Sequence, residues 1–159
     1  MATSAAPAAI DALLAILTAA KARPDSALAD AEVIDGPAIT TLPGEAVYVG
    51  YQPDGDAAVG IEQQFASAGA RRRDEALTIS GYIEVNSGDT EMKPIRDRAF
   101  AMLAVIETEL RATDLTPDAP TLGGAVLWAH LTAGNLRQYQ STEGVTVGLA
   151  FTVSGQARL

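Results

Sequence analysis

The spacing of apolar positions changes several times along this chain, and each change marks an element. Ile10, Leu13, Leu14 and Leu17 fall at i, i+3, i+4 and i+7, one stripe of an amphipathic helix. Asp11 lies near the positive end of that helix, Lys21 and Arg23 near the negative end, and Pro24 follows as a stop. From Val33 to Phe65 the period shortens to that of strands. Val33, Ile34 and Ile39 form one segment, Val47, Tyr48, Val49 and Tyr51 a second, and Val59, Ile61 and Phe65 a third. Gly36-Pro37 breaks or bulges the first, Pro43-Gly44 turns it, and Pro53-Asp54-Gly55-Asp56 supplies a β-turn. The second and third strands are therefore expected to form a hairpin.

Ala66 to Asp74 is small and polar, with the run Arg71-Arg72-Arg73, and suits an exposed connection. Leu77, Ile79, Ile83 and Val85 then share one face of a strand, with Thr78, Ser80, Tyr82 and Glu84 on the other and Gly81 as a bulge or bend. Asn86-Ser87-Gly88-Asp89-Thr90 combines turn formers with N-cap candidates, and Pro94 suits the first turn of a second helix. Ile95, Ala99, Leu103, Ile106 and Leu110 make its apolar stripe, flanked by Met102, and its end falls near Ala112 or Thr113. Thr113 to Gly124 carries two prolines and Gly123-Gly124 and is a long connection. Val126 to Leu131 opens another strand. In the closing segment Val145, Val147, Leu149, Phe151 and Val153 alternate with small residues, so one face is core and the other is small. The order is α-ββββ-α-ββ, with strands grouped rather than alternating with helices. The expectation is one α+β domain over 1–159, a mostly antiparallel sheet with two main helices packed on one face.

Composition narrows the chemistry. Aromatics are 5% of the chain, so the core is aliphatic, and the absence of cysteine excludes disulfides, thiol catalysis and Cys-ligated metal. Lys and Arg number 11 against 20 Asp and Glu, a net charge of −9 that disfavours stable nucleic-acid binding yet suits a surface past which DNA slides. Ile10 to Ala20 is interrupted by Asp11 and lacks the basic start of a signal peptide. No apolar run is long enough to span a bilayer.

No residue pattern calls for catalysis. His130 is the single histidine and shares strand parity with Val126 and Trp128, which favours a structural role in a core or an interface. Asp54, Asp56 and Glu62 lack the spacing of a calcium loop, and Glu107 and Glu109 point to different sides of a helix. Gly123-Gly124 reads as a hinge and not as a nucleotide fingerprint. Trp128 and Tyr139 read as core ahead of interface anchors. Arg71, Arg72 and Arg73, with Asp74, form the candidate interface loop, set against the alternative of a merely solvated loop. Catalytic, metal and cofactor sites are all expected to be absent.

Taken together, the opening helix Ile10 to Lys21, the strand Leu77 to Val85, the helix Pro94 to Leu110 and the closing pair ending in Val145 to Val153 resemble the tail terminator proteins of long-tailed bacteriophages, and more loosely related neck proteins. The resemblance implies a hexameric ring at the tail-neck junction of a virion, assembled in the host cytoplasm. Such a ring caps the tail tube protein, ends tube polymerisation, docks the head connector or neck protein, and lets DNA pass without specific binding. Head-closure and tube proteins are the nearest structural alternatives. A small-molecule binding module or small enzyme, with a cleft between the second helix and the sheet, is the competing class.

Overall fold

The computed structural model of the chain describes residues 2–40, 44–55, 57–69 and 71–159. Helix α1 (Ala6–Lys21) precedes β1 (Glu32–Asp35), β2 (Glu45–Val49), β3 (Val59–Phe65) and β4 (Arg73–Ser87). Helix α2 (Met92–Leu110) follows, then a 3-10 turn (Ala119–Thr121), β5 (Trp128–Ser141) and β6 (Gly144–Arg158). The order is thus α-ββββ-α-ββ and the fold is α+β. One mixed six-stranded sheet has the order β1-β2-β4-β6-β5, with β3 also on β4. Only β1 and β2 run parallel; every other pair is antiparallel.

The expected hairpin of the second and third strands does not form. β2 pairs with Gly81–Val85 of β4 and β3 with Arg73–Ile79 of the same strand, so the two lie end to end along one edge of β4. Ser80 joins them: its carbonyl accepts from Gly50 N–H at 2.7 Å, and its N–H donates to the Ala58 carbonyl at 3.0 Å. Its hydroxyl adds a 2.9 Å bond to the Ala57 carbonyl. Pro53-Asp54-Gly55 therefore tips a loop that leaves the strand line and rejoins it, instead of reversing the chain. Asp56 of that turn, and Pro43 of the turn ahead of β2, lie outside the described residues.

Alternation in β4 and β6 sets the core. Leu77, Ile79, Ile83 and Val85 face the helices together with Val145, Val147, Leu149, Phe151 and Val153. Onto them pack Leu13 and Leu17 of α1 and Ala99, Met102, Ile106 and Leu110 of α2. Met102, placed by its spacing at the flank of the stripe, is fully buried, whereas Leu103 is half-buried. Gly81 marks no bulge: the ladder keeps register through it, opposite Phe151, and a Cβ there would overlap the Phe151 ring. Its lack of a side chain is a packing requirement, not a bend. The opposite, back face carries a smaller cluster of Ala46, Tyr48 and Tyr82, against which Tyr51 and Ala150 pack.

Both helices start without a side-chain cap. Asp89 and Thr90 leave the N-cap of α2 to Glu91, and that helix ends at Leu110, short of Ala112. α1 begins at Ala6, earlier than its apolar stripe indicates, because of Glu75. This carboxylate, fully buried on β4, accepts from the Ala5 N–H at 2.8 Å, from Ser4 Oγ at 3.0 Å and from the Gln63 amide. A negative group at the positive end of the helix takes the place of a cap. Among the described residues no helix is long and apolar enough to cross a membrane.

Candidate functional site

The candidate loop Arg71 to Asp74 divides into two pieces. Arg71 and Arg72 are exposed in the β3–β4 connection and belong to no ion pair found among the described residues. Arg73 and Asp74 instead belong to β4, which starts earlier than its apolar alternation suggests. Arg73 exchanges backbone hydrogen bonds with Leu159 at 3.0 and 2.8 Å and donates from its guanidinium to Gln63 Oε1 at 2.9 Å. Asp74 accepts from Arg158 Nε at 2.7 Å, and that bond holds its carboxyl below the usual carboxylate range. Polar side chains hid these strand residues because both stand at the start of β4, where a hydrogen bond to Gln63 and an ion pair with Arg158 take the place of packing.

Trp128 and Tyr139 are placed outside the core, contrary to their reading as core residues, and His130, expected at a core or an interface, is exposed with them. All three are exposed on the back face of β5, with the Trp128 and His130 rings stacked at 5.0 Å. β5 runs on to Ser141, well beyond Leu131, and among the described residues its only strand partner is β6. A register shift between Leu131 and Ala133 moves the strand across a one-residue bulge at Thr132. From Thr132 to Ser141 every residue is exposed. Along β5 Arg137 is the one Asp, Glu, Lys or Arg residue, and it pairs with Asp54 on the loop between β2 and β3.

β3 is the counterpart on the other side. Gly60 to Phe65 are all exposed, and among the described residues no strand lies outside it. Ile61 and Phe65 keep 46% and 70% of their surface in solvent, against 52% for Leu127 and 40% for Trp128 at the start of β5. Exposed apolar side chains on edge strands are the usual mark of a surface that meets another protein.

Elsewhere the surface offers no converging reactive groups. Glu107 and Glu109 sit in separate ion pairs, with Arg111 and Arg23. Asp54 is taken by Arg137, and Glu62 stands on the other side of the splice; no metal-ligating cluster occurs among the described residues. Gly123 and Gly124 have φ of +66° and +88° and follow Leu122 at +49°, a tight left-handed passage into β5. The space between α2 and the sheet is filled by Ala99, Met102 and Ile106. The surface carries open depressions, among them one of 380 Å³ bounded by Gly44, Asn86, Ser141 and Glu143, one of 400 Å³ by Arg23, Ser26 and Thr108, and one of 550 Å³ beside β1 by Ile34, Pro37 and Ile39.

On the back face, burial pushes the Tyr82 phenol up to about 12, with the Glu84 charge acting in the same direction. Burial raises Tyr48 as well. These are neutral packing phenols beside Tyr51, whose ring meets Tyr48 edge-on at 5.3 Å.

No family model matches the chain, and no curated protein matches it.

Proposed function

We propose that this chain is a structural subunit of the tail-terminator type, which closes into a ring, probes no substrate and acts by geometry. One observation carries the reading: two edge strands, β3 and β5, each paired on one side only, bear exposed apolar residues at opposite edges of one sheet. A single copy leaves both uncovered, and copies joined one edge to the other use both. The element order supports the same reading, through its resemblance to terminator proteins. So does the net charge of −9, because an acidic ring lets DNA pass without holding it.

In this role the ring, a hexamer, sits at the tail-neck junction of the virion after assembly in the host cytoplasm. One of its faces stops the tail tube protein from polymerising, and the other receives the head connector. Its action needs no cofactor and no catalytic residue. Native mass spectrometry over a concentration series, with negative-stain microscopy of the same sample, tests it. A discrete ring with a central hole is the expected result. A strict monomer, or a dimer closed by a twofold axis, overturns it.

A further inference from the structure

From the free edges of β3 and β5 we infer the lateral contact itself: β5 of one copy adds to β3 of a second copy of this chain, forming one sheet that crosses the boundary. This rests on the ring reading above, and specifies which surfaces meet.

Where β3 lies, the sheet has only four strands, in the order β3-β4-β6-β5, so β3 and β5 are its two margins. Each of the three steps across is antiparallel, so β5 runs opposite to β3. Rotating one copy beside another, without turning it over, sets β5 against the neighbour's β3 in antiparallel sense. The unpaired N–H and C=O groups of both margins are then satisfied by a standard ladder. Levels also correspond. Through the ladder, Glu62 aligns with Ala76, Gln156 and Trp128, and Gly60 with Thr78, Ser154 and His130. Both margins carry exposed apolar residues at this end, Ile61 and Phe65 on one and Leu127 and Trp128 on the other, while Leu136 and Tyr139 are exposed further along β5.

Charge favours the same match. The connection leaving β3 carries exposed Arg71 and Arg72, while the connection leading into β5 carries exposed Asp114 and Asp118. None of these four belongs to an ion pair found among the described residues. On a chain of net charge −9, a local basic patch opposite a local acidic one is what allows two copies to approach. β5 also lacks the Lys, Glu and Pro that protect solitary edge strands, which fits an edge covered in the working state. The contact is heterologous, since different surfaces meet, so each copy keeps one free margin for the next.

The chain has no cysteine, which makes it a clean background for cross-linking. Glu62→Cys on β3 and His130→Cys on β5 are both exposed back-face positions. At the matched level these positions are diagonal neighbours on adjacent strands, ~7–8 Å apart, within reach of a short bismaleimide. The double variant is expected to give a ladder of covalent oligomers ending at the ring. Each single variant alone is expected to give none, and a one-to-one mixture of the two to stop at the dimer. Cross-linking of His130→Cys alone means that two β5 edges meet, and overturns the proposal. A ring in native mass spectrometry with no covalent ladder overturns it too, while leaving the ring reading intact; a monomer with no ladder overturns both. Separately, Arg71→Glu with Arg72→Glu is expected to weaken association about tenfold, with recovery on mixing with Asp114→Arg, Asp118→Arg protein. Unchanged association in the arginine variant overturns the charge pairing.

Discussion

Gly81 and Glu75 stand on the same strand and the same face, and each is irreplaceable for a different reason. At Gly81 the Phe151 ring occupies the place of a side chain. Gly81→Ala is expected to cost about 1–3 kcal/mol, as overpacking does, and Phe151→Leu in the same chain to return part of it; urea unfolding reads both. Glu75 is a buried carboxylate whose bonds all run to the start of α1 and to β3. Glu75→Ala leaves Ala5 N–H without its acceptor and removes one of the two acceptors of the Gln63 amide, and is expected to cost about 2–3 kcal/mol and to fray α1 from its first turn. Tyr82 supplies a pH signature. Its phenol is raised on folding from 10.0 to about 12, so the neutral form is the one the fold favours. The corresponding stability is whole below pH 10 and is lost as the pH climbs through 12, the direction linkage requires for a raised group. Ultraviolet titration of Tyr82→Phe is expected to lack the last-ionising phenol of the parent protein.

Among the elements, β4 and β6 are the frame, paired with each other over almost their full lengths and flanked on both sides. Their amides are expected to exchange slowest with deuterated solvent, and those of the outer edges of β3 and β5 fastest. The period-two pattern of β6 and the stripe of α1 were open to reading, because burial there follows local spacing. The end-to-end placement of β2 and β3 was not, since Pro53-Asp54-Gly55 has the same chemistry whether a chain reverses or returns to its line. Which occurs depends on Ser80, 25 or more residues away in sequence from the turn, and on its bonds to Gly50 and Ala58. Trp128 and Tyr139 misled for a related reason: a bare edge strand has the composition of an interior one. Arg71 and Arg72 were visible as a charge run, whereas Glu75, next to Asp74, gave no sign that it would be buried. Because Ser80 holds both ends of the loop 51–57, a short Gly-Ser insertion after Asp54 is expected to leave the melting temperature within a few degrees of the parent.

At the scale of the whole molecule, charge and shape act together. With a net charge of −9, copies repel at long range, and raising salt from low to moderate levels is expected to speed ring formation by screening that repulsion. Light scattering after a salt jump checks this; slower assembly with added salt would show that the Arg71 and Arg72 attraction dominates instead. Duplex DNA is expected to show no binding by fluorescence anisotropy across the same range. The spliced margin adds a limit of a different kind. β1 lies outside β2, and the connection after β2 stands at the seam, so the border on this side is broken and Val59–Phe65 forms a separate edge of its own, apart from the short outer edge of β1. A longer bare border would accept strands at many offsets, and would propagate into fibres. A seven-residue berth fixes the offset of whatever docks there, and so converts a sticky edge into an addressed one.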